Sequence, residues 1–129
     1  MKQIIHLDDQ LEKEIILLEK ECEIICHKLE QEIQAEFVEI GKRIVIELIR
    51  MKNGKCVDAL NVFEANYESF IELGFETNGE YFPNGYIPIW KCKSEWFQTI
   101  GYLTNRSLEE LEKIIGLIAK EILEDIKGD

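Results

Sequence analysis

Between Leu7 and Ile40 the chain holds neither Gly nor Pro, and its apolar residues return at every third or fourth position: Leu11, Ile15, Leu18, Cys22, Ile25, Leu29, Ile33, Phe37 and Ile40. This spacing puts them in one stripe along a helix, with mostly Glu, Lys and Gln between them. Continued through Ile44, Leu48 and Met51, the pattern predicts a long amphipathic helix over residues 1–52, about 45 residues of it periodic and roughly 65 Å long at helical rise. Such a rod offers more apolar surface than the remaining chain covers. Leu11, Ile15, Leu18, Cys22, Ile25, Leu29, Ile33 and Phe37 are therefore expected at an oligomer interface, in a homodimer or larger assembly. The steps drift from a heptad toward an eleven-residue repeat after Leu29. That favours packing in a bundle over a regular two-stranded coiled coil.

Beyond Gly41 the pattern is less decisive. Lys42 to Met51 is rich in Ile and Val, as strands are, and Asn53-Gly54 is a good hairpin turn. Its apolar spacing is helical, however, and Asn53-Gly54 also suits a helix end, so helix is the preferred reading. Residues 57–74 read as a second helix through Val57, Leu60, Phe63, Tyr67, Phe70 and Ile71, closed by Gly74. Residues 75–92 change character, with turn signals at Asn78-Gly79 and Pro83-Asn84-Gly85, and predict a small aromatic hairpin or meander. Residues 94–127 are expected to form the C-terminal helices. The last starts at a capping box, Ser107-Leu108-Glu109-Glu110. The fold expected is a mainly α single domain over residues 1–129: a long N-terminal helix bundled with two or three others, and a meander at one end.

The 129 residues carry a formal charge of −11, unevenly spread. Residues 1–40 hold 4 Lys against 11 acids, residues 41–55 hold 5 Lys and Arg against Glu47, and residues 56–90 hold 6 acids and no base. So acidic a surface argues against direct nucleic-acid binding and leaves room for a basic protein partner. No apolar run is long enough to span a bilayer and no signal-peptide pattern is present, which predicts a cytoplasmic protein without a membrane partner. The four cysteines are then expected to be reduced.

Candidate chemistry is sparse. Cys22, Cys26 and His27 stand within helical reach of one another and are weak metal-ligand candidates; no cofactor is indicated. His6 and His27 are the only histidines, and no nucleophile-elbow, phosphate-loop or His-Glu-x-x-His motif occurs, which argues against an enzyme. Eleven of the twelve aromatic residues lie between Phe63 and Tyr102. Aromatic loops are frequent recognition surfaces, so Tyr81, Phe82, Tyr86, Trp90 and Trp96, with Asn84 and Arg106, are the expected partner- or ligand-binding residues. The reading that follows is a non-catalytic, self-associating helical interaction protein presenting an aromatic loop region. One alternative is an acidic inhibitor of immunity or anti-defence type, blocking a basic, nucleic-acid-binding partner. The other is a small-ligand or metal sensor.

Overall fold

In a computed structural model that describes residues 1–58 and 61–128, the chain runs β1 (Lys2–Ile4), α1 (Asp9–Val38), β2 (Arg43–Lys52), β3 (Lys55–Cys56), β4 (Tyr67–Thr77), β5 (Glu80–Glu95), β6 (Gln98–Leu103) and α2 (Leu108–Gly128). The strands form one six-stranded sheet in the order β1-β6-β5-β4-β2-β3, every neighbouring pair antiparallel. This is an α+β fold. The mainly α bundle expected from the sequence is overturned, and the coiled coil with it, because the described residues contain two helices with a six-stranded sheet and both helices pack on the sheet.

Helix α1 is shorter than its periodicity suggested, because Gly41 stops it. The Gly41 φ is +73°, and Lys42 N–H returns to the Phe37 carbonyl at 3.0 Å. That six-to-one bond around a left-handed residue is the Schellman ending, which Gly enters without steric cost. At the other end Asp8 accepts from Leu11 N–H at 2.8 Å and caps the first turn.

The next two segments are strands where helices were expected. On β2, Ile44 and Ile46 join the core beneath α1, while Val45 is buried on the opposite face. On β4, Tyr67, Ile71 and Leu73 join the same core, and Phe70 is buried with its ring 4.8 Å from that of Tyr86. Burial on both faces removes the alternation that marks a half-exposed strand, leaving apolar runs that also fit a helical period. Of the helix expected over 57–74, Ala59 and Leu60 lie outside the described residues. The rest is a connecting segment followed by β4.

The stripe of α1 is used within the chain. Leu11, Ile15, Cys22 and Phe37 are buried in the core, with Leu18, Ile25, Leu29 and Ile33 packed against it. Contact with the sheet and with α2 thus covers Leu11, Ile15, Cys22 and Phe37 within the chain, while Leu18, Ile25, Leu29 and Ile33 stay half-buried. The α2 helix runs beside α1 in the same direction, and Lys28 meets Glu112 at 2.7 Å. Its capping box forms as expected, Ser107 N–H to Glu110 and Glu110 N–H to Ser107 Oγ, both at 3.2 Å.

One charged group lies fully inside this core. Glu19 on α1 has no exposed surface; it accepts from the Tyr67 hydroxyl at 2.8 and 3.0 Å and from Arg50 Nε at 3.1 Å. Arg50 also pairs with Glu23. Burial works against the charged Arg50, but its hydrogen bonds to Glu23 and Glu19 prevail and raise its pKa. The Tyr67 hydroxyl is pushed far above its ordinary pKa by burial and by the Glu19 carboxylate.

A second close fit lies at Trp90, buried at 0 % exposure, whose Nε1 donates to the Val62 carbonyl at 2.7 Å. Its ring lies over Gly101, where an added Cβ would stand 1.9 Å from the indole. The ring has no free direction, since Val62 holds its polar edge and Phe63 lies 6.1 Å away. Gly101→Ala is therefore expected to cost about 3 kcal/mol or more, measured by urea unfolding. A change below about 0.5 kcal/mol would show that Trp90 can move aside.

Candidate binding surface at the β5–β6 tip

Three hairpins of this sheet turn through two residues held at positive φ. In β2–β3 they are Asn53 and Gly54 (φ 52° and 78°), and in β4–β5 they are Asn78 and Gly79 (φ 54° and 79°). Asn-Gly is the pair such a type I′ turn prefers, because its backbone enters the left-handed region cheaply. In β5–β6 the register closes at Glu95 opposite Gln98, and the two turn residues are Trp96 and Phe97 at φ 51° and 71°.

A bulky side chain at positive φ is a steric outlier costing about 1–2 kcal/mol per residue. No packing among the described residues offsets that cost. Trp96 is 89 % exposed and Phe97 fully exposed. Two large apolar side chains thus stand in water on the turn least suited to them. Below the tip the strands are tied together: the Tyr102 hydroxyl donates to Glu95 at 3.0 Å, and the Lys93 ammonium sits 5.8 Å from the Tyr102 ring centre. The hydrogen bond to Glu95 raises the Tyr102 pKa.

The residues expected from sequence do not form one site. Trp96 is at the tip, whereas Trp90 is a core residue. Tyr81 reaches back across the sheet to Glu72 at 2.8 Å, and burial followed by that bond raises its pKa. Phe82 stacks on Phe75 at 5.4 Å. Tyr86 is half-exposed on the sheet face away from the helices, against Phe70 and with the Lys91 ammonium 5.8 Å from its ring. Asn84 is exposed on β5, and Arg106 is exposed in the link to α2, its N–H on Thr104 Oγ1 at 3.3 Å. Phe97 belongs with Trp96 but was not among the expected residues. Residues 94–127 read as helical from the sequence, and the usual Gly and Asn markers of a turn are missing at Trp96-Phe97.

The cysteines and His27 do not assemble. Among the described residues no three His, Cys, Asp or Glu side chains are grouped to hold a metal ion. Cys22 and Cys26 are buried and His27 is exposed. Burial, with Glu19 next to Cys22 and Cys22 next to Cys26, pushes both thiols up to about 12, and burial pushes Cys92 up to about 11. All three are therefore protonated and shielded near neutral pH, and Cys56 alone is exposed. Among the described residues no helix is long and apolar enough to cross a membrane.

Two measurements follow. Iodoacetamide at about pH 8 is expected to add a single label to the native chain, at Cys56, and to reach the other three cysteines only in denaturant. A second rapid label would show an open core. Replacing the tip by its ideal counterpart, Trp96→Asn with Phe97→Gly, is expected to stabilise the fold by about 1–2 kcal/mol in urea unfolding. A loss of stability would mean that the aromatic pair serves the fold. Comparison with known protein families, curated proteins and solved structures finds no match to this chain.

Proposed function

We infer that this chain is a non-catalytic interaction protein whose β5–β6 tip inserts Trp96 and Phe97 into an apolar pocket of a protein partner. The observation that carries the reading is the conjunction at the tip: both rings are solvent-exposed, and both backbones are in the region that bulky residues avoid. Stability alone favours Asn-Gly there, as at the other two hairpins. Binding supplies the compensation. Each ring gains about 2–3 kcal/mol on full burial, enough to offset the strain and leave a favourable balance. The pocket that takes them is apolar at its floor and presents a carbonyl or carboxylate to the indole N–H, which needs an acceptor once buried.

The tip is also preorganised. A two-residue turn between paired strands holds both rings with little freedom to lose on docking. The acidic surface then acts on partner choice and encounter rate more than on affinity.

The experiment compares wild type with the Trp96→Asn, Phe97→Gly variant, both immobilised and exposed to extract from the source cells. A protein retained by the wild type and lost from the folded variant is then purified and titrated back. Trp90 is shielded, so acrylamide quenching and the emission maximum report Trp96. Binding is expected to shift the emission to the blue and to suppress quenching. Identical proteins retained by both forms, or a reconstituted complex in which Trp96 stays fully quenchable, would overturn the reading.

A further inference from the structure

A second surface lies on the edge of β2, and it is independent of the tip. Strand β3 pairs with β2 only at Met51 and Lys52, so residues 43–50 form the margin of the sheet. Unpaired strand margins invite another strand, and proteins normally cover them. Helix α1 covers part of this one with side chains. Gln34 pairs with Ile44 as a strand would, accepting its N–H at 2.9 Å and donating to its carbonyl at 3.1 Å. Glu30 accepts the Ile46 N–H at 3.0 Å. Beyond Leu48, Val57 N–H takes the Arg50 carbonyl at 2.9 Å.

Between these covers, the outward N–H and carbonyl of Leu48 have no protein partner among the described residues. They face a cleft of ≈ 310 Å³ bordered by Glu23, His27 and Glu30 from α1 and by Glu47 and Arg50 from β2. Its charge is lopsided. Arg50 is already shared by Glu19 and Glu23, the Glu30 carboxylate is 4.0 Å from Arg43, and Glu47 has no ion-pair partner among the described residues. Burial and the nearby Glu30 and Glu72 raise the Glu47 pKa, as expected of a carboxylate lacking a cation.

We propose that this margin binds an extended segment of a partner protein by strand addition at Leu48, with a Lys or Arg of that segment seated among Glu23, Glu30 and Glu47. Main-chain bonds to Leu48 supply the docking geometry, and the surplus of carboxylates selects a basic side chain. The same charges reject the other strand-bearing candidate, a second copy of this chain. Pairing two β2 margins would bring Glu47 and Glu30 of one copy toward those of the other. Nucleic acid is rejected for the same reason.

The probe is a library of random nonapeptides displayed on phage and selected against the intact protein at low salt. Recovered peptides are expected to carry Lys or Arg within an extended, β-branched context and to lose affinity as salt rises. Bound peptide should slow hydrogen exchange at the Leu48 amide. Glu47→Lys, an exposed change remote from the core, should weaken binding by about tenfold or more. The Trp96→Asn, Phe97→Gly variant should bind these peptides as wild type does, so failure here and failure of the tip reading are separable. Absence of binders, absence of basic enrichment, unchanged affinity in Glu47→Lys, or unchanged exchange at Leu48 would each overturn the proposal.

Discussion

The seating of α1 on the sheet depends on one buried carboxylate. Glu19 has no exposed surface, so its two carboxylate oxygens need donors from the protein. Tyr67 on β4 and Arg50 on β2 supply them. Moving α1 along the sheet would leave Glu19 unpaired in the core, at a cost of several kcal/mol added to the loss of apolar packing. Apolar packing and the Glu19 bonds thus fix the same register together. In that register Glu30 and Gln34 reach the β2 backbone and Cys22 and Cys26 face inward. Beside the cluster, Ser69 Oγ on β4 is buried without a partner among the described residues. The polar network is therefore satisfied at its centre and incomplete at its rim.

The hairpins show the opposite economy. Asn53-Gly54 and Asn78-Gly79 obey the local rule for tight turns, so β2–β3 and β4–β5 close without strain. Trp96-Phe97 breaks the rule under the same backbone geometry. Because the three turns share one chain and one sheet, the contrast isolates the side chains as the cause. Packing does not explain the exception, since the rings touch solvent. Marginal stability makes a cost of about 2 kcal/mol substantial for a small domain, so a turn that retains it points to a benefit outside the folded state.

Legibility in the sequence followed the range of the interactions. Ser107 and Glu110 satisfy each other within one turn, so the start of α2 could be read directly. Gly41 and the two Asn-Gly pairs were visible as punctuation, but their meaning depended on what flanked them. Asn53-Gly54 suits a hairpin and a helix end alike, and the flanking residues decided wrongly. Ile44, Val45 and Ile46 are all buried, two toward α1 and one away from it, so β2 lost its alternation and mimicked a helical face. The stripe of α1 is legible as needing cover, but the sheet that supplies much of it was not, because β2 and β4 read as helices. Of the candidate site, Trp96 was legible as part of an aromatic cluster. Its separation from Trp90 was not, since only the β5–β6 register puts one ring in the core and the other on the tip.

The two proposed surfaces follow from the topology in different ways. In the order β1-β6-β5-β4-β2-β3, the two-residue β3 leaves most of β2 at the margin, while the β5–β6 turn projects from the interior of the sheet. An open margin and an exposed aromatic turn in one small protein both favour self-association. Here the carboxylates change the outcome. In the pairing proposed above, Glu23, Glu30 and Glu47 disfavour a second copy of the margin, and the formal charge of −11 adds to that repulsion. The same field admits a cation. A charge that prevents homotypic strand pairing and permits heterotypic pairing with a basic segment is a selection rule, and it allows the backbone at Leu48 to stay open without becoming an aggregation site.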